Sequence, residues 1–444
     1  MNVGIIGCGY VCDTYMSTWG MHPGLKIVGV TDIDQSRAEI VSKLYGLRRY
    51  ASNEEMLADP AVEIVLNLTS INSHDAVTRA AIAAGKHVYS EKPLTLDMAS
   101  AREMAALAAE KGVVLSCAPS NALGDTTQTM WRAVRDGVVG NVRTVYAEMD
   151  DNPIYLMQPE HWRSRSGAPW PYQHEYEAGC TIEHVGYQLT WLCAMFGPVA
   201  SVTAFSKMTI PDKTAGIADK AAAHLDPADT PDFSVAVLDF RSGVTARVTC
   251  SIGAPWDHRM RIIGDKGMLF ADSYRHYQCP VYLERFTKLS LNARKSYTVR
   301  NNDLLQWFFR VGGRRLKLIR NPPPGTDRIH GTGSKWSPKA MLKRWMKAEL
   351  GVQDKVIGVA EMADAIRNGR QAFPAPDFVL HLTELTLAIQ NAGPGGVSHA
   401  LTTDFAPVEP RPETLRARVD YDRVLRKPLL ARISDQLIDR LHKH

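Results

Sequence analysis

The chain has 444 residues, 45% apolar and 22% charged, with a formal net charge of +5. This length exceeds one ordinary core and points to at least two domains, the composition is that of a soluble globular protein, and the charge is too small to argue for nucleic acid. Seven cysteines with no C-x-x-C pair exclude a disulfide framework and a zinc site; no metal is expected, and the thiols read as small buried hydrophobes of a reducing compartment. No basic, cleavable leader opens the sequence and no apolar run reaches about 18 residues, so the expected location is cytoplasmic, with no transmembrane segment.

Residues 3–6 form a short apolar run, as a buried parallel strand does. "GCGYVC" follows, placing Gly7 and Gly9 where a dinucleotide-binding turn needs them and Cys12 where a third glycine is usual. The helix entered through Tyr10 and Val11 offers its free N–H groups to a pyrophosphate. The next strand, "LKIVGVTDID", ends in Asp32 and Asp34, about 20 to 25 residues beyond the glycines. Asp32 lies nearer the strand end and is assigned to the ribose hydroxyls; its charge repels a 2′-phosphate, so NAD is favoured over NADP, which Arg37 would have to support. "EIVLNLTS", "HVYSEKP" and "VVLSCAPS" then alternate with "HDAVTRAAIAAGK" and "TLDMASAREMAALAAEKG", predicting a parallel sheet with right-handed crossovers. Ligands bind at the carboxyl ends of such strands, which gathers Thr69, Ser70, Asn72, His74, Glu91, Lys92 and Asn121 at the cofactor edge.

Beyond residue 121 the alternation stops. A helix ("TTQTMWRAVRDGVVG") and a strand ("VRTVYAEMD") precede a loop broken by Gly167, Pro169 and Pro171. Trp162, Trp170 and Tyr172, interleaved with Arg163 and His174, suit a sugar, whose C–H face stacks while its hydroxyls hydrogen-bond. In the helix starting near Cys180, Glu183 and Tyr187 are i, i+4 and share a face, with His184 about 100° away. Alcohol oxidation needs a proton acceptor as hydride leaves the carbon. A histidine side chain ordinarily titrates near the working pH, which suits His184, whereas a tyrosine such as Tyr187 needs a neighbouring cation, for which Lys92 is placed; either is a candidate, with Glu183 as hydroxyl ligand or orienter. Several short strands follow, with hairpin turns at "FRSG" and "GDKG". Residues 285–347 carry sixteen Lys or Arg against two acids. This basic insertion would suit an anionic lipid surface, an acidic substrate or another subunit. Two amphipathic helices and a tail over 401–444 complete the chain.

The glycine loop, Asp32 and "AGKHVYSEKPL" together resemble the glucose–fructose oxidoreductase / inositol dehydrogenase (Gfo/Idh/MocA) family, over about residues 1–275 and more loosely over 350–400. The resemblance implies an α/β protein: an N-terminal Rossmann NAD(P)-binding domain over 1–120, and a C-terminal α+β domain over 121–400 with an open, mostly antiparallel sheet. It implies that Lys92 contacts a substrate hydroxyl beside the nicotinamide, that the Lys92–Pro93 bond is cis, and that the protein is a homo-oligomer. It also implies a histidine four residues after the acid at Glu183, where this chain has Tyr187. The expected function is an NAD-dependent oxidoreductase acting on a sugar hydroxyl. An NAD-dependent glycosidase working by oxidation, elimination and re-reduction, a non-catalytic dinucleotide sensor, and a scaffold remain as alternatives.

Overall fold

The computed structural model describes residues 1–214, 217, 230–272, 276–321, 353–426, 433 and 436. Its first sheet is wholly parallel: β1 (Asn2–Ile6), β2 (Lys26–Thr31), β3 (Ile64–Asn67), β4 (His87–Ser90) and β5 (Leu115–Cys117), in the order β2-β1-β3-β4-β5. Every residue of β3 is buried, so it reads as an unbroken apolar run and not an alternating one. The crossovers are α1 (Tyr10–Trp19), α2 (Gln35–Tyr45), α3 (Asn53–Ala58), α4 (Ile71–Ala83) and α5 (Met98–Lys111). Helices α2 and α5 stop at Gly46 and Gly112, whose φ values of 68° and 63° favour glycine. The strand order reverses between β1 and β3, which opens a crevice at their carboxyl ends.

The second unit carries α6 (Asp125–Arg135), α7 (Tyr172–Ala178), a π-helical turn (Thr181–Val185) and α8 (Gly186–Phe196). The second sheet has nine strands: β6 (Val142–Asp150), β7 (Val199–Lys207), β8 (Phe233–Phe240), β9 (Thr245–Ser251), β10 (Met260–Gly264), β11 (Gly267–Ala271), β12 (Val281–Arg285), β13 (Arg314–Arg315) and β14 (Val397–Ala400). Their order is β13-β12-β11-β10-β6-β9-β8-β7-β14, antiparallel throughout except for the β6–β9 pair. Strand β8 alternates between buried and more exposed residues, the pattern of a sheet packed on one face. Met130, Trp131, Leu189, Trp191 and Leu385 from the helices close that face into the largest core.

Helix Val356–Arg367, expected with the second unit, packs on the first. Its Val356, Val359, Met362 and Ala363 join Val3, Ile5, Leu66 and Tyr89 in one cluster. Amphipathic spacing revealed the helix and its apolar residues; it could not say which sheet they cover.

Residues 285–321 of the basic insertion fold as three short helices (Lys288–Ala293, Tyr297–Arg300, Asp303–Phe309) and strand β13 on the sheet edge. The triple proline and the insertion's remainder to 347 lie outside the described residues, as does most of the tail beyond 426. Among the described residues, no helix is long and apolar enough to cross a membrane.

Candidate active site

A cavity of about 710 Å³ lies at the carboxyl ends of the first sheet, against the π turn and the loop before α7. Gly7 makes the turn after β1 at φ 105°, and a Cβ there would sit 2.5 Å from the Leu68 carbonyl carbon. Only glycine fits so close a backbone approach. Gly9 precedes α1 with nothing within 4 Å of its Cβ position, so the space beside the helix N-terminus is open. Cys12 fills the third-glycine place fully buried. Asp32 accepts from the Cys8 N–H at 2.6 Å and the Asp34 N–H at 2.9 Å, while Asp34 caps α2. Gly9, Tyr10, Val11, Asp32, Arg37, Thr69, Ser70, His74, Glu91 and Lys92 all line the cavity.

Gly7 shapes the turn without lining the cavity, and two more of the expected cofactor residues lie elsewhere. Asn72 is exposed on α4 and off the cavity wall. Asn121 is fully buried and donates to the Tyr187 carbonyl at 3.0 Å, bracing the segment that carries Glu183 and Tyr187 from behind. Arg37 is tied up: it donates to the Cys8 carbonyl (3.1 Å), the Ser166 carbonyl (3.1 Å) and Ser166 Oγ (2.7 Å). Asp13 accepts from the Ser166 N–H at 2.8 Å, so the loop before α7 is fastened across the glycine turn.

Beyond β4 the Lys92–Pro93 bond is cis. The ring nitrogens of buried His74 face the Pro93 carbonyl at 2.7 Å and the Thr69 carbonyl at 3.1 Å, fastening this turn to the neighbouring strand end. The Lys92 ammonium forms an ion pair with Glu183, whose side chain is 4% exposed. Burial opposes the charge on Lys92, but Glu183 and then Tyr187 outweigh it and hold the ammonium well above its ordinary range.

Glu91 receives the Lys355 ammonium at 2.7 Å and the Tyr15 hydroxyl at 3.0 Å. Burial alone would raise its pKa, but Lys355 and Lys92 hold it down at about 2. A carboxylate depressed on folding gives stability that is complete above its unfolded pKa, roughly 4.3, and is lost as pH falls towards the folded value. Urea midpoints are therefore expected to fall between about pH 4.5 and pH 2, and a Glu91→Gln variant should show a shallower fall over that window.

Glu183, His184 and Tyr187 all line the cavity. Regular helix spacing put His184 about 100° from Glu183, but the segment is wound as a π turn through Val185, and that wider turn presents both residues to the cavity. His184 Nδ1 lies 3.3 Å from Asp151 and Nε2 lies 3.6 Å from Glu175.

Of the expected substrate contacts, Trp162, Trp170 and His174 line the cavity, the two indoles 4.9 Å apart and tilted by 43°. Arg163 and Tyr172 do not. Arg163 is exposed and donates to the Glu160 and Trp162 carbonyls, and Tyr172 turns into α7 to meet Tyr176 edge-on. Proline spacing marked the loop, but a loop without periodicity gives no hint of which side chains turn inward. Asp151, Glu175, Trp256 and Lys355 also line the cavity and were not singled out from sequence. Asp151 follows the end of β6, and the same strand-end logic used for the first sheet would have found it.

Residues 1–118 match the family described as "Oxidoreductase family, NAD-binding Rossmann fold", and residues 127–270 match the "GFO/IDH/MocA C-terminal domain". The trans-1,2-dihydrobenzene-1,2-diol dehydrogenase of Bos taurus is 26% identical over 269 residues, which is 60% of this chain and 72% of the bovine protein. The myo-inositol 2-dehydrogenase of Thermotoga maritima is 23% identical over 279 residues, 62% of this chain and 76% of that one. In shape, an NAD binding oxidoreductase from Klebsiella pneumoniae superimposes with a TM-score of 0.65 at 22% identity, over 88% of this chain and 96% of its own. With its glycine turn, its E-K-P turn and both halves of the fold matched, the chain belongs to the Gfo/Idh/MocA family of oxidoreductases.

Proposed function

We propose that the protein is an NAD-dependent dehydrogenase that oxidises a secondary hydroxyl of a sugar or sugar derivative. The observation that carries this reading is the buried Lys92–Glu183 pair, set beside Tyr187 in the cavity that the glycine turn opens into. The cavity residues fit a dinucleotide: the first N–H groups of α1 would take the pyrophosphate, Asp32 the ribose hydroxyls, and Thr69 and Ser70 the edge beyond. When bound, NAD supplies the hydride acceptor. NAD is preferred to NADP because Asp32 repels a 2′-phosphate, and because Arg37, the nearby cation that could offset it, is committed to Cys8 and Ser166. Trp162 and Trp170 offer flat apolar faces to the sugar ring, and Glu183 accepts from its hydroxyls.

Tyr187 is the proton acceptor in this reading. It lines the cavity with the Lys92–Glu183 pair, and the hydroxyl proton passes to it as hydride leaves the same carbon. His184, between Asp151 and Glu175, orients substrate. Tyr187→Phe should then lower kcat by roughly 10²-fold or more, whereas His184→Asn should mainly raise KM. The opposite ranking assigns the base to His184. The reading itself is tested by mixing protein, NAD and a panel of aldoses and cyclitols and following reduced-nicotinamide absorbance. Cleavage of a nitrophenyl glycoside without net NADH would place the protein among NAD-dependent glycosidases, and absence of NAD binding would end the enzyme reading.

A further inference from the structure

Lys355 stands far from Lys92 in sequence, yet it meets the residue next to it. Its side chain is 12% exposed and its ammonium lies 2.7 Å from Glu91 Oε1, an oxygen that also accepts from Tyr15 at 3.0 Å. Glu91 Oε2 accepts from the Lys92 backbone N–H at 3.1 Å. Both oxygens of the carboxylate are therefore occupied. Two features hold Lys355 in place. Asp354 pairs with buried His22 at 2.8 Å, and the helix that begins at Val356 packs into the core of the first sheet.

We infer that Lys355 is a positioning residue: by saturating Glu91 it leaves the Lys92 ammonium directed at Glu183 and the cavity. This rests on the function proposed above. Glu91 and Glu183 are both buried carboxylates, 6% and 4% exposed, and the charge of Lys92 acts on both. With Lys355 present there are two cations for two anions, and each carboxylate has its own. Without it, one ammonium serves two carboxylates and the cluster carries net negative charge. Lys92 is then drawn back towards Glu91, and the surplus negative charge opposes the negative charge that develops in the cavity during reaction. The other titratable groups facing the cluster, Tyr15, Tyr89, Tyr277, Cys117, His74, Glu175 and Tyr187, supply no resident positive charge to replace it.

The test compares Lys355→Met, Glu91→Gln and the double variant in the full chain. With the aldose or cyclitol that wild type oxidises fastest, Lys355→Met is expected to lose about tenfold or more in kcat, with KM and the NAD dissociation constant changed by less than about threefold. The double variant should recover most of that loss, because a neutral amide in place of the Glu91 carboxylate no longer competes for Lys92. Wild-type kcat in Lys355→Met, or a double variant no faster than Lys355→Met, would overturn the inference. If Lys355→Met fails to fold with an unpaired Glu91, the double variant, which buries no orphan charge, decides: near wild-type kcat supports the inference and a loss of about tenfold overturns it. Side-chain NMR of isotope-labelled lysine gives a readout independent of turnover. The Lys92 resonance should move in Lys355→Met and return in the double variant, and a resonance unmoved in Lys355→Met counts against the role. An absence of NADH formation by wild type on the whole panel would sink the proposed function while leaving this spectroscopic result to stand or fall alone.

Discussion

Lys92→Met is expected to lower kcat by roughly 10²–10⁴-fold while leaving NAD affinity almost unchanged. The first half follows from burial. Glu183 is 4% exposed and its ion-pair partner is Lys92, so truncation strands a carboxylate where the developing alkoxide needs positive charge. The cation facing the charge that develops in the reaction is lost, so transition-state stabilisation falls more than ground-state binding does. The second half follows from position. Lys92 lies after β4, whereas the contacts proposed for the pyrophosphate and ribose come from the turns after β1 and β2. Steady-state kinetics with parallel calorimetric NAD titration checks both. Turnover close to wild type would remove Lys92 from the chemistry, and a matching collapse of NAD affinity would move it to the cofactor site.

Asp32→Ala is expected to weaken NAD binding by about 1.5–3 kcal/mol, or roughly 10- to 150-fold in dissociation constant. In the free protein Asp32 already accepts from Cys8 and Asp34, which sets the shape of the glycine turn. Its loss therefore removes a charged acceptor for the ribose hydroxyls and also loosens the turn that faces the pyrophosphate. The variant should also discriminate less against NADP, since the repulsion of a 2′-phosphate goes with the carboxylate. Fluorescence titration with both dinucleotides reads the two effects. Unchanged NAD affinity would return Asp32 to a purely structural role.

Much of the first unit was legible because its determinants are local. A strand, a turn and a helix N-terminus lie within a dozen residues of one another, and the strand-end position of Asp32, Glu91 and Lys92 follows from the parallel winding. What stayed hidden depends on distant chain or unusual winding. Lys355 is separated from Glu91 by 264 residues, and nothing around it in sequence refers to a strand end so far away. Reading 180–196 with a single helical period kept His184 as a candidate but placed it about 100° from Glu183 and could not anticipate the π turn, from which both line the cavity. Within 155–178, aromatic and basic residues alternate without a period, so Trp162 and Trp170 were found together with Arg163 and Tyr172, which turn elsewhere.

The π turn also bears on how this site can vary. A π turn holds one residue more than the regular winding it interrupts, so it behaves as a one-residue insertion absorbed in place. Removing one residue between Glu183 and Tyr187 would restore regular winding and rotate Glu183 and everything before it by about 100° relative to α8. The same amino acids would survive in nearly the same order, yet Glu183 would no longer meet Lys92 opposite Tyr187. In this protein the spacing of the acid and the tyrosine is therefore a length that sequence identity alone does not measure.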